Sequence, residues 1–282
     1  MSREEQVDQI AADLAAKVPA YFEGEETKER LKKLPGGASQ PLTVFLKQEI
    51  DRLNIVIKLT ATTLKNLRLA IAGTIALSDD LIQALEALFN AKIPGTWLKK
   101  SWEAGTLGMW FNGLIQRHDQ VHKWLNTGRP KGYWITGWFN PQGFLTAMKQ
   151  EVNRKHAADK WALDDVVMTS EVTHPPKEYE QLRDSPAEGV YVYGLYLDGC
   201  AWNGKENRLV DSEPKKLFAP LPVLYVTGVL GKDKKTEGVY ACPTYRVKLR
   251  KAPNFITTFD VRTEDPKSKW ILRGVGLLCS ID

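Results

Sequence analysis

Apolar residues recur at helical spacing through the first half of the chain and at a period of two through much of the second. Ser2 stands before Glu4 and Glu5, with Val7, Ile10, Leu14 and Val18 following, which predicts a capped helix ending at Pro19. The charged segment from Glu25 to Leu34 predicts a second helix, stopped by Pro35-Gly36-Gly37. From Pro41 the stripe Leu42, Phe45, Leu46, Glu49, Leu53, Val56, Ile57, Thr60, Leu64, Leu67 and Ile71 continues to Gly73. At ~1.5 Å per residue a helix over about 41–72 would be about 45 Å long. It reads as a core helix rather than a coiled coil, because the heptad is not sustained. Ser78-Asp79-Asp80 caps a further helix with Leu81, Ile82, Leu85 and Leu88 inward, and Pro94-Gly95 breaks it. Leu107 to Leu125 carries Met109, Trp110, Leu114, Val121 and Trp124 on another.

The stretch from Gly128 to Gln150 is the densest in aromatics and the expected packing centre. Tyr133 to Phe139 reads as a short extended segment buried on both faces, and Asn140-Pro141 as an N-cap with proline at the first helical position. Phe144, Leu145, Met148 and Val152 continue that helix to about His156. Val166 to Val172 reads as a strand, and residues 173–189, with three prolines, as a linker or surface loop. Beyond Glu188 the strand candidates are the alternating run 190–197, Val223 to Val229, Val239 to Leu249, Phe255 to Val261 and Trp270 to Ile281, separated by turn residues such as Asp198-Gly199 and Asn203-Gly204. The expected fold is therefore α+β: an N-terminal helical subdomain over 1–175, a linker over 176–187, and a small antiparallel, partly closed β-barrel over 188–282.

Composition changes this picture little. A 43% hydrophobic fraction in 282 residues suffices for a real core, as one large domain or two smaller ones. The net charge of +5 is too mild to indicate nucleic acid. Three dispersed cysteines argue for reduced thiols rather than a disulfide framework. The charged N-terminus is no signal peptide, and no apolar run reaches the ~18 residues of a membrane span.

Candidate chemistry is sparse. His118 and His122 lie four apart on one helical face, the spacing of a zinc-protease helix, but Asp119 stands where that motif has glutamate. No third ligand is identifiable, since His156 and His174 are the only other histidines. The pair reads as solvent-facing. Gly228 to Lys232 lacks the spacing of a phosphate loop and reads as a hairpin tip with Lys232, Asp233, Lys234 and Lys235 in solvent; Gly204-Lys205 reads as a turn. Cys200, Cys242 and Cys279 read as small buried residues without a catalytic partner. Trp97, Trp102, Trp138, Trp202 and Trp270 read first as core, with an interface as the other use, and Lys99, Lys100 and Lys131 as a solvated face. No catalytic, cofactor-binding or metal-binding residue is assigned.

The motifs resemble a known family. Gly128-Arg129-Pro130, Tyr133-Trp134, Gly137-Trp138-Phe139 and Asn140-Pro141-Gln142 through Phe144-Leu145-Thr146-Ala147 look like the C-terminal domain of a dynein heavy chain of the axonemal, ciliary or flagellar type. Pro41-Leu42 with Phe45 through Ile50, Pro94 with Trp97 and Ser101-Trp102, Glu188 through Leu195, Tyr240 through Tyr245 and Trp270 through Leu278 extend the likeness over almost the whole chain. Val223 to Gly228 is only loosely like the corresponding family strand, and the loops at 200–215 and 230–238 are individual. The resemblance implies a fragment that follows the sixth AAA+ module, with Met1 an introduced start. It implies a helical part and a small barrel that cap one face of the motor ring. The parent would be an ATP-driven, minus-end-directed microtubule motor of the cytoplasm and the axoneme. Its nucleotide and microtubule sites would lie outside this chain. Partners would be the AAA+ ring of the same heavy chain and other dynein arm subunits, with no nucleic acid and no membrane. The alternative is a stand-alone metal-dependent hydrolase using His118 and His122.

Overall fold

The computed structural model describes residues 2–173 and 178–281; His174 and residues 176–177 of the expected linker lie outside them. Two compact units are formed, Met1–Ala38 with Leu46–Asn126, and Ser39–Phe45 with Thr127–Asp282. This grouping falls differently from the division at 175 and 188 read from the sequence. The aromatic stretch and the helix after it belong with the strands.

The first unit is helical: α1 (Arg3–Ala15), α2 (Gly24–Lys33), α3 (Pro41–Ile71) from Leu46 onward, α4 (Asp79–Phe89), α5 (Gly95–Leu98) and α6 (Leu107–Thr127) up to Asn126. Ser2 and Glu5 form a reciprocal capping box on α1, with bonds of 3.1 and 2.7 Å. The Ser78 hydroxyl accepts from the Leu81 N–H on α4. The predicted long helix is present, and Leu46, Leu53, Val56, Leu64 and Leu67 of its stripe are buried. Asn54 on it clamps the backbone of Phe22 with two bonds of 2.8 and 2.9 Å. Asp8 on α1 pairs with Arg68 at 2.8 Å. The short α5 follows Pro94, where the sequence pattern shows only a break.

The second unit holds the first turn of α3, α7 (Pro141–Lys155), α8 (Lys267–Leu272) and, among the described residues, eleven strands. These are β1 (Tyr133–Trp134), β2 (Val166–Val172), β3 (Val190–Tyr193), β4 (Tyr196–Asp198), β5 (Ala201–Asn203), β6 (Arg208–Val210), β7 (Phe218–Pro220), β8 (Leu224–Leu230), β9 (Val239–Tyr245), β10 (Phe255–Arg262) and β11 (Gly276–Leu278). They make a four-stranded sheet β1-β3-β8-β2, a five-stranded sheet β10-β9-β11-β4-β7, and a ribbon β5-β6. Most ladders are antiparallel, but β1 with β3 and β11 with β9 run parallel, so the sheets are mixed rather than purely antiparallel. Among the described residues the hydrogen-bond ladders leave both larger sheets open-ended. Helix α7 lies on β2, β8 and β10, with Phe144, Met148 and Val152 inward.

Three local readings are corrected. The extended segment at 133–139 is strand only over Tyr133–Trp134, then a 3-10 turn over Ile135–Gly137, which lets the consecutive Gly137 and Trp138 both be buried along with Tyr133 and Ile135, as strand alternation would not. The run from Trp270 begins as a helix. Only Trp270 faces inward, donating from Nε1 to Thr263 at 2.7 Å, while Lys269 reaches back to Asp265 at 2.9 Å. Gly274, at φ +64°, ends that helix before β11. The alternating run 190–197 is two strands in two different sheets. Gly194 makes the turn between them at φ +89°, and a Cβ there would stand 2.5 Å from the Trp134 ring.

Gly194→Ala therefore combines a left-handed backbone cost of about 1–2 kcal/mol with a clash against a tryptophan ring. Gly274→Ala, at φ +64° with open space around it, carries the backbone cost alone. Urea unfolding should show the larger loss for Gly194→Ala; equal losses would remove the steric part of this account.

Candidate functional site

The most highly charged interior of the first unit centres on Arg117. Trp97, Trp110 and Trp102 stack in series, with centroids 4.8 and 5.3 Å apart. The Arg117 guanidinium lies 3.8 Å over the Trp102 ring and donates to the Gly113 carbonyl at 3.1 Å. Gly113 makes the room: a Cβ there would meet Arg117 Nη1 at 2.8 Å. Burial pulls the guanidinium down to about 9, opposed by the charge of Glu49, itself buried on α3. Arg117 stays cationic at neutral pH. Sequence reasoning passed over it, although it falls in the apolar series Trp110, Leu114, Arg117, Val121, Trp124, as Glu49 falls in that of α3. Opposite charges inside two apolar stripes are a legible signal of a buried pair.

His118 is half-buried rather than solvent-facing. Its Nε2 lies 2.9 Å from the Ala20 carbonyl, so that nitrogen carries the proton. Its ring stacks 4.8 Å from Phe22 and 5.7 Å from His122. Burial lowers its pKa. A zinc site needs lone pairs from both rings and at least one further protein ligand. The cleft beside the pair, about 230 Å³, is lined by Ala20, Tyr21, Glu23, Glu26 and Arg30 among others, and Glu26 is already paired with Arg30. Among the described residues no group of three or more His, Cys, Asp or Glu side chains is placed to hold a metal ion.

In the second unit, His156 caps α7 and joins two carboxylates, Asp159 at 2.8 Å and Glu188 at 2.9 Å, under the face of Trp161 at 3.8 Å. Those carboxylates raise its pKa. All three thiols are free and buried. Burial pushes Cys200 and Cys279 up to about 12 and Cys242 well above its ordinary value, so none supplies a thiolate at neutral pH. Gly228 is inside β8, opposite Met168, and Gly231–Asp233 is a 3-10 turn. Strands β8 and β9 lie in different sheets, so the segment between them is a crossover rather than a hairpin tip. Lys234 is not in solvent: it pairs with buried Asp260 at 3.0 Å and bonds the Met168 carbonyl. Lys205 sits in the turn of the β5-β6 ribbon, where Asn203 accepts its N–H. Trp97, Trp138 and Trp270 are buried, and Trp102 and Trp202 half-buried. Lys99, Lys100 and Lys131 are exposed. No helix among the described residues is long and apolar enough to cross a membrane.

Similarity assigns the class of this domain. The family model for the C-terminal domain of dynein heavy chains matches residues 1–279. The sequence is 71% identical, over its full length, to the dynein gamma chain of the flagellar outer arm of Chlamydomonas reinhardtii. It is 44% identical over 99% of its length to human dynein axonemal heavy chain 8, and 43% identical over 99% to mouse dynein axonemal heavy chain 5. It spans about 6% of the length of these relatives. The chain belongs to the family of C-terminal domains of dynein heavy chains, and within it to the axonemal class of cilia and flagella.

Two measurements test the interior charges. Arg117→Met leaves Glu49 buried without its cation and should cost about 3–5 kcal/mol. Adding Glu49→Leu should restore much of that loss; strict additivity in chemical denaturation would show that the two do not interact. For the histidines the signs are opposite. His156, raised above its ordinary 6.5, contributes stability that is full below about 6.5 and fades as pH rises through its folded value. His118, lowered, contributes stability that is full above about 6.5 and fades as pH falls below it. The melting-temperature deficit of His156→Gln should shrink from pH 5.5 to pH 8.5, and that of His118→Gln should grow (the two pH values bracket the ordinary histidine range). Parallel trends would refute the assignment.

Proposed function

We propose that the chain is a non-catalytic domain of an ATP-driven, minus-end-directed microtubule motor that powers ciliary or flagellar beating. It packs on the AAA+ ring of its own heavy chain and braces or regulates that ring. The nucleotide sites and the microtubule contact belong to other parts of the heavy chain. The domain needs no cofactor and no metal, and it addresses neither nucleic acid nor membrane. Other dynein arm subunits of the axoneme are its further partners. The observation that carries this reading is the family match over residues 1–279. What supports it physically is the commitment of the chemically capable groups to internal contacts: Arg117 to Trp102, His118 to the Ala20 carbonyl, Lys234 to Asp260, and the thiols to the core.

Such a domain acts by differential contact, favouring the ring conformations against which its surface fits. The metal-hydrolase alternative requires stoichiometric zinc at His118 and His122, and among the described residues no third His, Cys, Asp or Glu side chain is placed to complete such a site.

The test is the parent motor with and without these 282 residues, scored for ATPase rate, gliding velocity and stall force. A cut near residue 177 would separate β2 from its partner β8, so the whole segment is the proper deletion. Persisting ATPase with altered force or velocity is the result expected of a regulator, and collapse of ATPase that of a brace. Unchanged motility and ATPase would overturn the proposal, as would stoichiometric zinc in the purified protein by elemental analysis.

A further inference from the structure

Three segments of the second unit meet beside the five-stranded sheet through side-chain contacts. They are the segment 211–217 before β7, the segment 246–254 between β9 and β10, and residues 271–275, the end of α8 with the turn before β11. Arg250 is the tie. It pairs with Asp198 at the end of β4, at 2.5 Å, and donates to the Gly274 carbonyl. Lys248 stands 5.4 Å over the Phe218 ring, and Arg273 pairs with Asp211 at 2.7 Å. On these segments sit the four most exposed large apolar side chains among the described residues: Leu272 at 87%, Leu217 at 75%, Ile271 at 64% and Leu249 at 57%. Single exposed leucines are ordinary, but four aliphatic side chains on segments held together by Arg250, Arg273 and Lys248 mark an interaction surface.

Charge selects the occupant. The nearby carboxylates are already engaged: Asp198 by Arg250, Asp211 by Lys269 and Arg273, Asp265 by Lys269, and Glu213 by Lys216. Lys215, Lys248 and Lys251 have no carboxylate within ion-pair distance among the described residues. An arriving segment therefore meets exposed leucines and ammonium groups without a carboxylate partner, that of Lys248 lying over the Phe218 ring. We propose that this edge binds an acidic, amphipathic peptide segment of a partner protein, its apolar side chains against Leu217, Leu249 and Leu272 and its carboxylates over Lys248 and Lys251. Steering by such a rim accelerates encounter and makes binding sensitive to salt. The inference stands apart from the proposed bracing role and does not depend on it.

Fluorescence anisotropy on the full 282-residue protein tests it, with a fluorescein-labelled synthetic helix of glutamate and leucine as probe. Saturable binding is expected, weakened about tenfold when the probe's glutamates become glutamine, and about tenfold in Lys248→Ala/Lys251→Ala and in Leu249→Ser/Leu272→Ser. All four positions are exposed or at the surface, and circular dichroism should show both variants folded. Failure to saturate would overturn the proposal, and so would binding that survives in the leucine variant. Sedimentation equilibrium covers the other occupant: self-association that Leu249→Ser/Leu272→Ser abolishes would assign the edge to a second copy and refute the acidic partner.

Discussion

The second unit depends on one carboxylate. Glu151, late in α7, takes both guanidinium nitrogens of Arg129, at 2.7 and 2.5 Å, and one of its oxygens also accepts the Leu42 N–H at 3.1 Å. Leu42 is in the first turn of α3, where backbone N–H groups have no partner within the helix and the dipole favours a negative charge. A single side chain thus fixes the Gly128-Arg129-Pro130 turn, the start of a 31-residue helix and the end of a 15-residue one. Glu151 is largely withdrawn from water, so its desolvation has to be offset by all three bonds together. Removing Arg129 would leave a buried charge with a single N–H donor. Around this pair the aromatic cluster closes: Phe45 meets Trp138 edge-on at 5.2 Å, and Tyr133 lies 4.8 Å from Phe144. Burial raises the Tyr133 phenol, which stays protonated beside the ion pair.

The first unit solves a similar problem with a different partner set. Arg117 meets π-faces and a carbonyl, with Glu49 as the compensating charge, because a glycine one turn earlier leaves space for the fork. In both units a guanidinium is drawn at least partly out of water. Here their geometry is closed: the guanidinium of Arg129 is spent on Glu151, and that of Arg117 on Trp102 and the Gly113 carbonyl. Perturbed titration alone therefore does not mark a catalytic centre in this molecule, since structural ion pairs shift pKa values by the same physics.

Helices were legible because their signals are local. Ser2, Ser78 and Asn140-Pro141 each cap the helix that the sequence places after them, and the stripe from Leu42 to Ile71 marks out the long helix nearly to the residue. The strand Val166–Val172 was also legible from its composition. Pairing was not, because it is decided by partners far along the chain. Nothing near Val190 says that β3 lies beside β1 and β8 while β4, three residues on, joins β11 and β7. Gly194 was visible as a glycine, but its meaning comes from Trp134, sixty residues earlier. The family likeness was legible because it rests on many short motifs held in order, each weak alone.

The exposed edge shows why surface function resists pattern reading. Trp270, Ile271 and Leu272 form an apolar run that an alternating pattern reads as a buried strand. The fold buries the tryptophan, anchors its indole on Thr263, and sends the next two residues outward. The sequence cannot distinguish a core run from a helix that displays two aliphatic side chains, because both follow the same hydrophobicity. What separates them is the tertiary commitment of one residue, Trp270, and the left-handed glycine that stops the helix four residues later. An exposed apolar surface is written in this way, in which apolar residues the core leaves outside, and it becomes readable only once the core is known.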